Sequence, residues 1–304
     1  MIVTDPAAFL AEFSLARYPM RGPATARGAF LVAPASATLA TESARDNRYM
    51  DLACVPDPAR ALQQHAELAR RLGEDVPVVM FPGDPQSPDG MFPNNVFATT
   101  RGQLIIGRMR HPVRQREAAR ADIRHFFRDV LGYREIDLSG GDFVAELTGA
   151  LVIDRARGVG YCGLSERCDL AGARAMHEAF GLRMTFCFEL AAGEYHTNVV
   201  MALLAGRTAL LAADGFADPA APEAIARGLG GRVVWLTRAQ KNAFCGNAIA
   251  LAPGRAWISA RAAEALEPAQ KTAIERSGFA LDDVELDEIE KAGGSLRCCV
   301  AEIF

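Results

Sequence analysis

The feature that most constrains this chain is a recurring order of elements. Short apolar runs of strand length occur in twos and threes and are separated by helical stretches, roughly five times over the 304 residues. The pattern points to an α/β chain built from small repeated units. GAFLVA at 28–33 predicts a first strand, closed by Pro34. The stretch 44–72 carries apolar and alanine positions at helical spacing. It ends in Arg70 and Arg71, charges that suit a helix C-terminus. VPVVMF at 76–81 reads as a strand, 95–99 with 103–108 as a hairpin around Arg101-Gly102, and 115–131 as an amphipathic helix. Strands are expected at 134–138, 143–147, 150–154 and 158–162, then a helix at 170–180. Further strands fall at 182–188, 197–203, 207–212 and 232–236, with a short helix at 221–228 before the last. Strands at 245–252 and 256–258, a helix over 259–278 broken at Pro268, and a strand at 284–286 complete the series. Residues 1–27 read as an irregular or partly helical lead-in. No linker or low-complexity segment divides the chain, so one domain, 1–304, is expected.

Half of the residues are apolar, enough for a large core. A net charge of -4 gives no basis for a nucleic-acid or membrane-surface partner. No uncharged run approaches the roughly 18 residues that span a bilayer. The first residues, with Asp5, Glu12 and several prolines, lack a signal-peptide core. Seven scattered cysteines do not form a secreted disulfide framework and fit a reducing cytoplasm, where thiols stay free.

Chemistry concentrates in a few stretches. The segment 291–304, KAGGSLRCCVAEIF, places Gly293 and Gly294 before a cysteine pair, and 296–304 alternates like a short terminal strand. There a thiol would reach a cleft, or else serve as a small core hydrophobe. His196, in YHTNVV, opens an apolar strand and is either structural or a general acid–base group. Glu146 is embedded in FVAELTGALVI, and a buried carboxylate needs a partner or a job. A turn bond from Thr148 or a backbone amide is the plainer account. Arg108 and Arg167 each end a strand, which suits a carboxylate-binding fork as well as a solvated surface position. GVGYCG at 158–163 has the spacing of a dinucleotide-binding loop but reads as the return strand of a hairpin. Cys162 and Cys168 have no paired histidines and give no zinc-ligand spacing.

Together these residues resemble the guanidino-group-modifying superfamily, which includes arginine deiminases, agmatine deiminases, amidinotransferases and dimethylarginine dimethylaminohydrolases. The resemblance implies a five-bladed α/β propeller, the pentein fold, in keeping with the repeating pattern. It places the nucleophile at Cys298 in GGSLRCC, the acidic motif at Glu146-Leu147-Thr148-Gly149 and the catalytic histidine at His196. The order Glu, His, Cys is the family order. SGGD at 139–142 looks like a rival acidic motif, but Ser139 stands where the glutamate belongs. On a strand, Cys299 would face away from Cys298 and into the core. Arg108 and Arg167 fall where family members hold an α-carboxylate. FPNNVFATT at 92–100 matches a stretch that normally carries acids against the guanidinium, and here Asn94 and Thr100 are neutral. The citrulline-hydrolysing branch is similar in this stretch and in PASATLATESARDN at 34–47.

The expectation is therefore a cysteine hydrolase cleaving a C–N bond in the ureido or guanidino group of an arginine-derived amino acid, with Asn94 and Asn95 at the substrate. Citrulline-like to ornithine-like conversion is favoured, since amides match a neutral urea. The alternatives are dimethylarginine or arginine hydrolysis giving citrulline, and a catalytically silent small-molecule-binding member. No metal or organic cofactor is implied, and a homo-oligomer is left open.

Overall fold

Five small sheets repeat one connection rule in the computed structural model, which describes residues 1–35 and 38–304. In each sheet a strand pairs antiparallel with the next, and a helix then carries the chain to a third strand parallel to the second. The first sheet joins Ala301–Ile303, Gly28–Val32 and Val78–Phe81, so a strand from near the C-terminus completes a blade begun early in the chain. The second joins Phe97–Thr100, Gln103–Ile106 and Arg134–Asp137. The third joins Leu151–Asp154, Val159–Leu164 and Met184–Glu189, with Ile2–Val3 added at its edge. Met201–Leu204, Thr208–Leu211 and Val233–Trp235 form the fourth. Ile249–Ala252, Arg255–Ser259 and Ala280–Val284 form the fifth. This is the propeller-like α/β pentein architecture, and among the described residues no sheet closes into a barrel. Among the described residues, no helix is long and apolar enough to cross a membrane.

Several local expectations are corrected. The helix predicted over 44–72 spans only Pro58–Leu72. Proline is tolerated in a first turn but breaks a helix interior, and Asp57 caps the start by accepting from the Ala59 and Arg60 amides. Before it, 39–57 is irregular apart from the turn Ser43–Arg45. Ser36 and Ala37, within the 34–47 stretch, lie outside the described residues. The helix expected over 115–131 is a broken run, Pro112–Gln115, Arg116–Ala119, Ala121–His125 and Phe126–Val130, interrupted by the extended ψ of 98° at Arg120. The break at Pro268 occurs as read, between Ala260–Ala265 and Pro268–Arg276. The segment 158–163 falls, as read, in the return strand Val159–Leu164 of a hairpin and not in a nucleotide loop.

The most consequential correction concerns strand entrances. The strand expected at 143–147 is not formed: Ala145 makes isolated bridges to Arg108 and Cys168, and a helical turn, Leu147–Ala150, leads into Leu151–Asp154, the strand expected at 150–154. The strand expected from 197 begins as the turn Thr197–Val200 and becomes extended only at Met201. The terminal strand expected over 296–304 likewise begins as the turn Leu296–Cys299 and is extended only at Ala301–Ile303.

One core residue carries a measurable consequence. His65 on Pro58–Leu72 is fully buried, and neither ring nitrogen has a partner. Burial pushes its pKa down from 6.5 to about 4. The unfolded chain therefore binds the proton first, so stability is lost as pH falls from about 6.5 toward 4. The loss is on the order of 3 kcal/mol across that window. Urea unfolding across the window should show His65→Leu losing much less than the parent, and parallel losses would reject the assignment.

Candidate active site

The turns that precede the first strands of four blades hold Asn94, Asn95, Glu146, His196 and Cys298. Neighbouring first strands pack together, Ala301–Ile303 on Phe97–Thr100 and Met201–Leu204 on both Leu151–Asp154 and Ile249–Ala252. Packing at the strands brings their entrance turns to one end. Asn95 comes from Pro93–Asn95, Glu146 immediately precedes Leu147–Ala150, His196 caps Thr197–Val200, and Cys298 lies in Leu296–Cys299. Asn95, His196 and Cys298 line one buried pocket, together with Asp89, Arg114 and Arg167.

Glycine permits this convergence. A Cβ on Gly149 would lie 2.5 Å from Asn95 Oδ1 and 2.8 Å from His196 Nδ1, so any side chain there would displace both. Gly293, at φ +75°, turns the chain into the cysteine segment, and its carbonyl accepts from Tyr195 and Asn47. Cys299 does not line the pocket; it is fully buried in a cluster with Leu296 and Val300. The separation of the two thiols thus comes from a tight turn and not from strand alternation.

Glu146 is the electrostatic centre. Its carboxylate is fully buried and accepts from the Arg110 amide at 3.0 Å, Arg167 at 3.2 Å and His196 Nε2 at 2.9 Å. Burial opposes its ionisation, but Arg167 and the His196 bond outweigh it and hold the carboxyl well below the usual carboxylate range. The bond to a carboxylate puts the imidazole proton on Nε2, leaving Nδ1 as an unpartnered base. Burial lowers the His196 pKa despite Glu146, and burial raises that of Cys298. The resting pair is therefore a neutral imidazole and a thiol.

The expected carboxylate fork is not formed. Arg108 lies in a different cavity, where its guanidinium donates to the Gly141 carbonyl. Arg167 does reach the pocket but is held by Asp46 at 2.5 Å as well as by Glu146, which leaves no free edge. Asp46 also pairs with His111 at 2.8 Å. Thr100, expected opposite a substrate head group, lies in a separate cavity beside Arg101 and Arg155. Asn94 is buried with its carboxamide unpartnered, but it does not line the pocket.

Sequence reading also missed Asp89 and Arg114. Arg114 is buried and bidentate to Glu117, whose carboxyl burial pushes up to about 6. Asp89 Oδ2 accepts from Ser43 at 2.5 Å, while Oδ1 is buried without a partner. Burial raises the Asp89 pKa, with Arg114 opposing. Asp89 shares the proline- and glycine-rich loop 82–93 with Asp84, and only burial in the fold distinguishes the two.

Comparison with known proteins bears on the family and the fold. The family described as "N,N dimethylarginine dimethylhydrolase, eukaryotic" matches residues 33–304. The uncharacterized protein YkgA of Bacillus subtilis (strain 168) is 25% identical over 249 residues, 80% of each chain. The N-terminal domain of ArgZ, an arginine dihydrolase of cyanobacteria, superimposes with a TM-score of 0.79 at 18% identity, covering 91% of this chain and 97% of that one. A dimethylarginine dimethylaminohydrolase carrying an S-methyl-L-thiocitrulline adduct gives 0.71 at 21% identity, covering 91% and 99%. At these identities the two structures establish a shared fold.

Removing the central carboxylate should be costly. Glu146→Ala leaves buried Arg167 with Asp46 as its remaining acid and His196 with no orienting partner. A loss of about 3 kcal/mol is expected in urea unfolding at neutral pH. A loss indistinguishable from that of an average surface substitution would show that the ion pair is not structural.

Proposed function

Because the chain belongs to the N,N dimethylarginine dimethylhydrolase family, within the guanidino-group-modifying pentein superfamily, we propose that it is a hydrolase in which Cys298 attacks the central carbon of a ureido or guanidino group. The substrate is an arginine-derived amino acid, and a citrulline-like compound giving an ornithine-like amine is the favoured one. The observation that carries this reading is the single buried pocket shared by Cys298, Asn95 and a His196 whose Nδ1 is free.

The steps follow from those groups. His196 Nδ1 takes the Cys298 proton as the thiolate forms the C–S bond. The imidazolium then protonates the departing amine, and the C–N bond breaks. A water entering the vacated space loses a proton to Nδ1 and adds to the carbon. Breaking the C–S bond returns the thiol. Glu146 keeps the proton on Nε2 throughout and stabilises the imidazolium between steps. Neither a metal nor an organic cofactor is called for. The same reading treats 1–304 as one catalytic domain working on a free amino acid in a reducing cytoplasm.

Charge supports the neutral substrate. Glu146 and Glu117 are already matched by Arg167 and Arg114. Asn95 offers an amide whose Oδ1 is unpartnered, a fit for a ureido N–H. Asp89 favours the second reading, hydrolysis of dimethylarginine or arginine to citrulline, because its free Oδ1 is an acid oxygen inside the pocket. Its raised pKa weakens it as a counter-charge for a guanidinium.

Cys298→Ala is expected to abolish turnover, while Cys299→Ala retains most of it; equal losses would reject the nucleophile assignment. His196→Ala should reduce turnover by at least ~10², and near-normal turnover would return it to a structural role. In a product screen with citrulline, arginine, dimethylarginine and agmatine, citrulline should give the highest kcat/KM, and Asn95→Asp should move preference toward the cations. A preference above tenfold for arginine or dimethylarginine in the parent would favour the second reading. No turnover of any of them, with Cys298 inert to chloroacetamidine, would leave a binding protein.

A further inference from the structure

The fifth blade also sends a residue to the pocket end, and the mechanism above does not use it. Asn247 lies in the turn before Ile249–Ala252 and is fully buried. Its Nδ2 donates to Cys298 Sγ at 3.3 Å and to the Asn198 carbonyl at 2.8 Å. Its Oδ1 accepts from the Cys298 amide at 3.4 Å, and its backbone carbonyl accepts from the Arg297 amide at 3.4 Å. One carboxamide thus clamps the cysteine turn to the histidine turn. The local chain is shaped for this contact. Phe244 adopts φ 63°, a conformation uncommon for a residue with a side chain. A Cβ on Gly246 would lie 2.3 Å from the Val199 carbonyl, so only glycine lets this turn press against Thr197–Val200.

The sulfur has a second amide neighbour. Cys298 Sγ donates toward Asn198 Oδ1 at 3.9 Å, and Asn198 Nδ2 is buried without a partner. A thiol donates one hydrogen and accepts weakly, whereas a thiolate only accepts. Rotating the Asn198 carboxamide end for end would present Nδ2 to the sulfur once its proton has left.

We propose that Asn247 and Asn198 form an amide cradle for the Cys298 thiolate, with Asn247 as the fixed donor and Asn198 as the donor recruited on ionisation. Both are positioning residues, acting on the substrate through the sulfur. The inference rests on the reading of Cys298 as nucleophile. In a site where burial disfavours the thiolate, two N–H groups aimed at the sulfur offset part of that penalty. The proton passes to the His196 base, and no other bond changes.

The test is the pH dependence of Cys298 alkylation by iodoacetamide, read by peptide mass mapping so that exposed Cys54 is counted separately. Ultraviolet thiolate absorbance gives an independent titration, and circular dichroism checks the fold. Asn247→Leu removes the donor to sulfur without placing a charge beside it. Asn198→Leu removes the recruitable donor at a carboxamide whose Nδ2 holds no bond, so it remains informative if the first variant does not fold. Each should raise the apparent thiol pKa by about one unit, an alkylation rate about tenfold lower at neutral pH. Folded variants that alkylate within twofold of the parent, in a parent whose Cys298 does label, would overturn the cradle and leave the nucleophile reading standing. A parent whose Cys298 never labels would overturn both.

Discussion

A single anion organises the pocket end of this protein. The Glu146 carboxylate is fully buried, and a buried charge persists only with close partners and hydrogen bonds. It has Arg167, the His196 ring and the Arg110 amide, and Arg167 in turn holds Asp46, which holds His111. A chain of alternating charge therefore runs from the proposed catalytic imidazole to the irregular segment around Ser43–Arg45, which contributes Ser43 and Asn47 to the pocket wall. The proposed proton transfer and the placement of that segment rest on the same ionised group.

The second constraint is geometric. Polar side chains sit at strand entrances because a helical turn, unlike a strand, can aim several groups toward one end of the molecule. The turns approach closely because Gly149 and Gly246 lack a Cβ where the neighbouring turn passes. The hairpins behind them are ordinary apolar strands such as Leu151–Asp154 and Met201–Leu204, whose packing fixes the distance between turns. Core stability and site geometry are thus set by adjacent residues with opposite character.

The protonation pattern fits a nucleophile activated during turnover. Burial raises the Cys298 thiol and lowers the His196 imidazole, so a resting thiolate–imidazolium pair is disfavoured. In the proposed mechanism the proton leaves the sulfur for His196 only as the C–S bond forms, so no free thiolate has to persist in the buried site.

The sequence by itself determined the alternation of hairpins and helices, the break at Pro268, the return strand at Val159–Leu164 and the candidates Glu146, His196 and Cys298, of which the structure places His196 and Cys298 in one pocket wall with Glu146 bonded behind His196. The elements were legible because hydrophobic periodicity and proline act locally, and the three residues because their motifs, in order, resemble those of a known family. Tertiary structure alone decided the rest. It withdrew Arg108 and Thr100 from the site, engaged Arg167 with Asp46, and brought in Asp89, Arg114, Asn198 and Asn247. The reason is that periodicity reports which face of an element is buried, whereas the partner a polar group meets depends on how distant blades pack. Asp46 and Arg167, or Asn247 and Cys298, are far apart along the chain, and only the closing of the five sheets makes them neighbours.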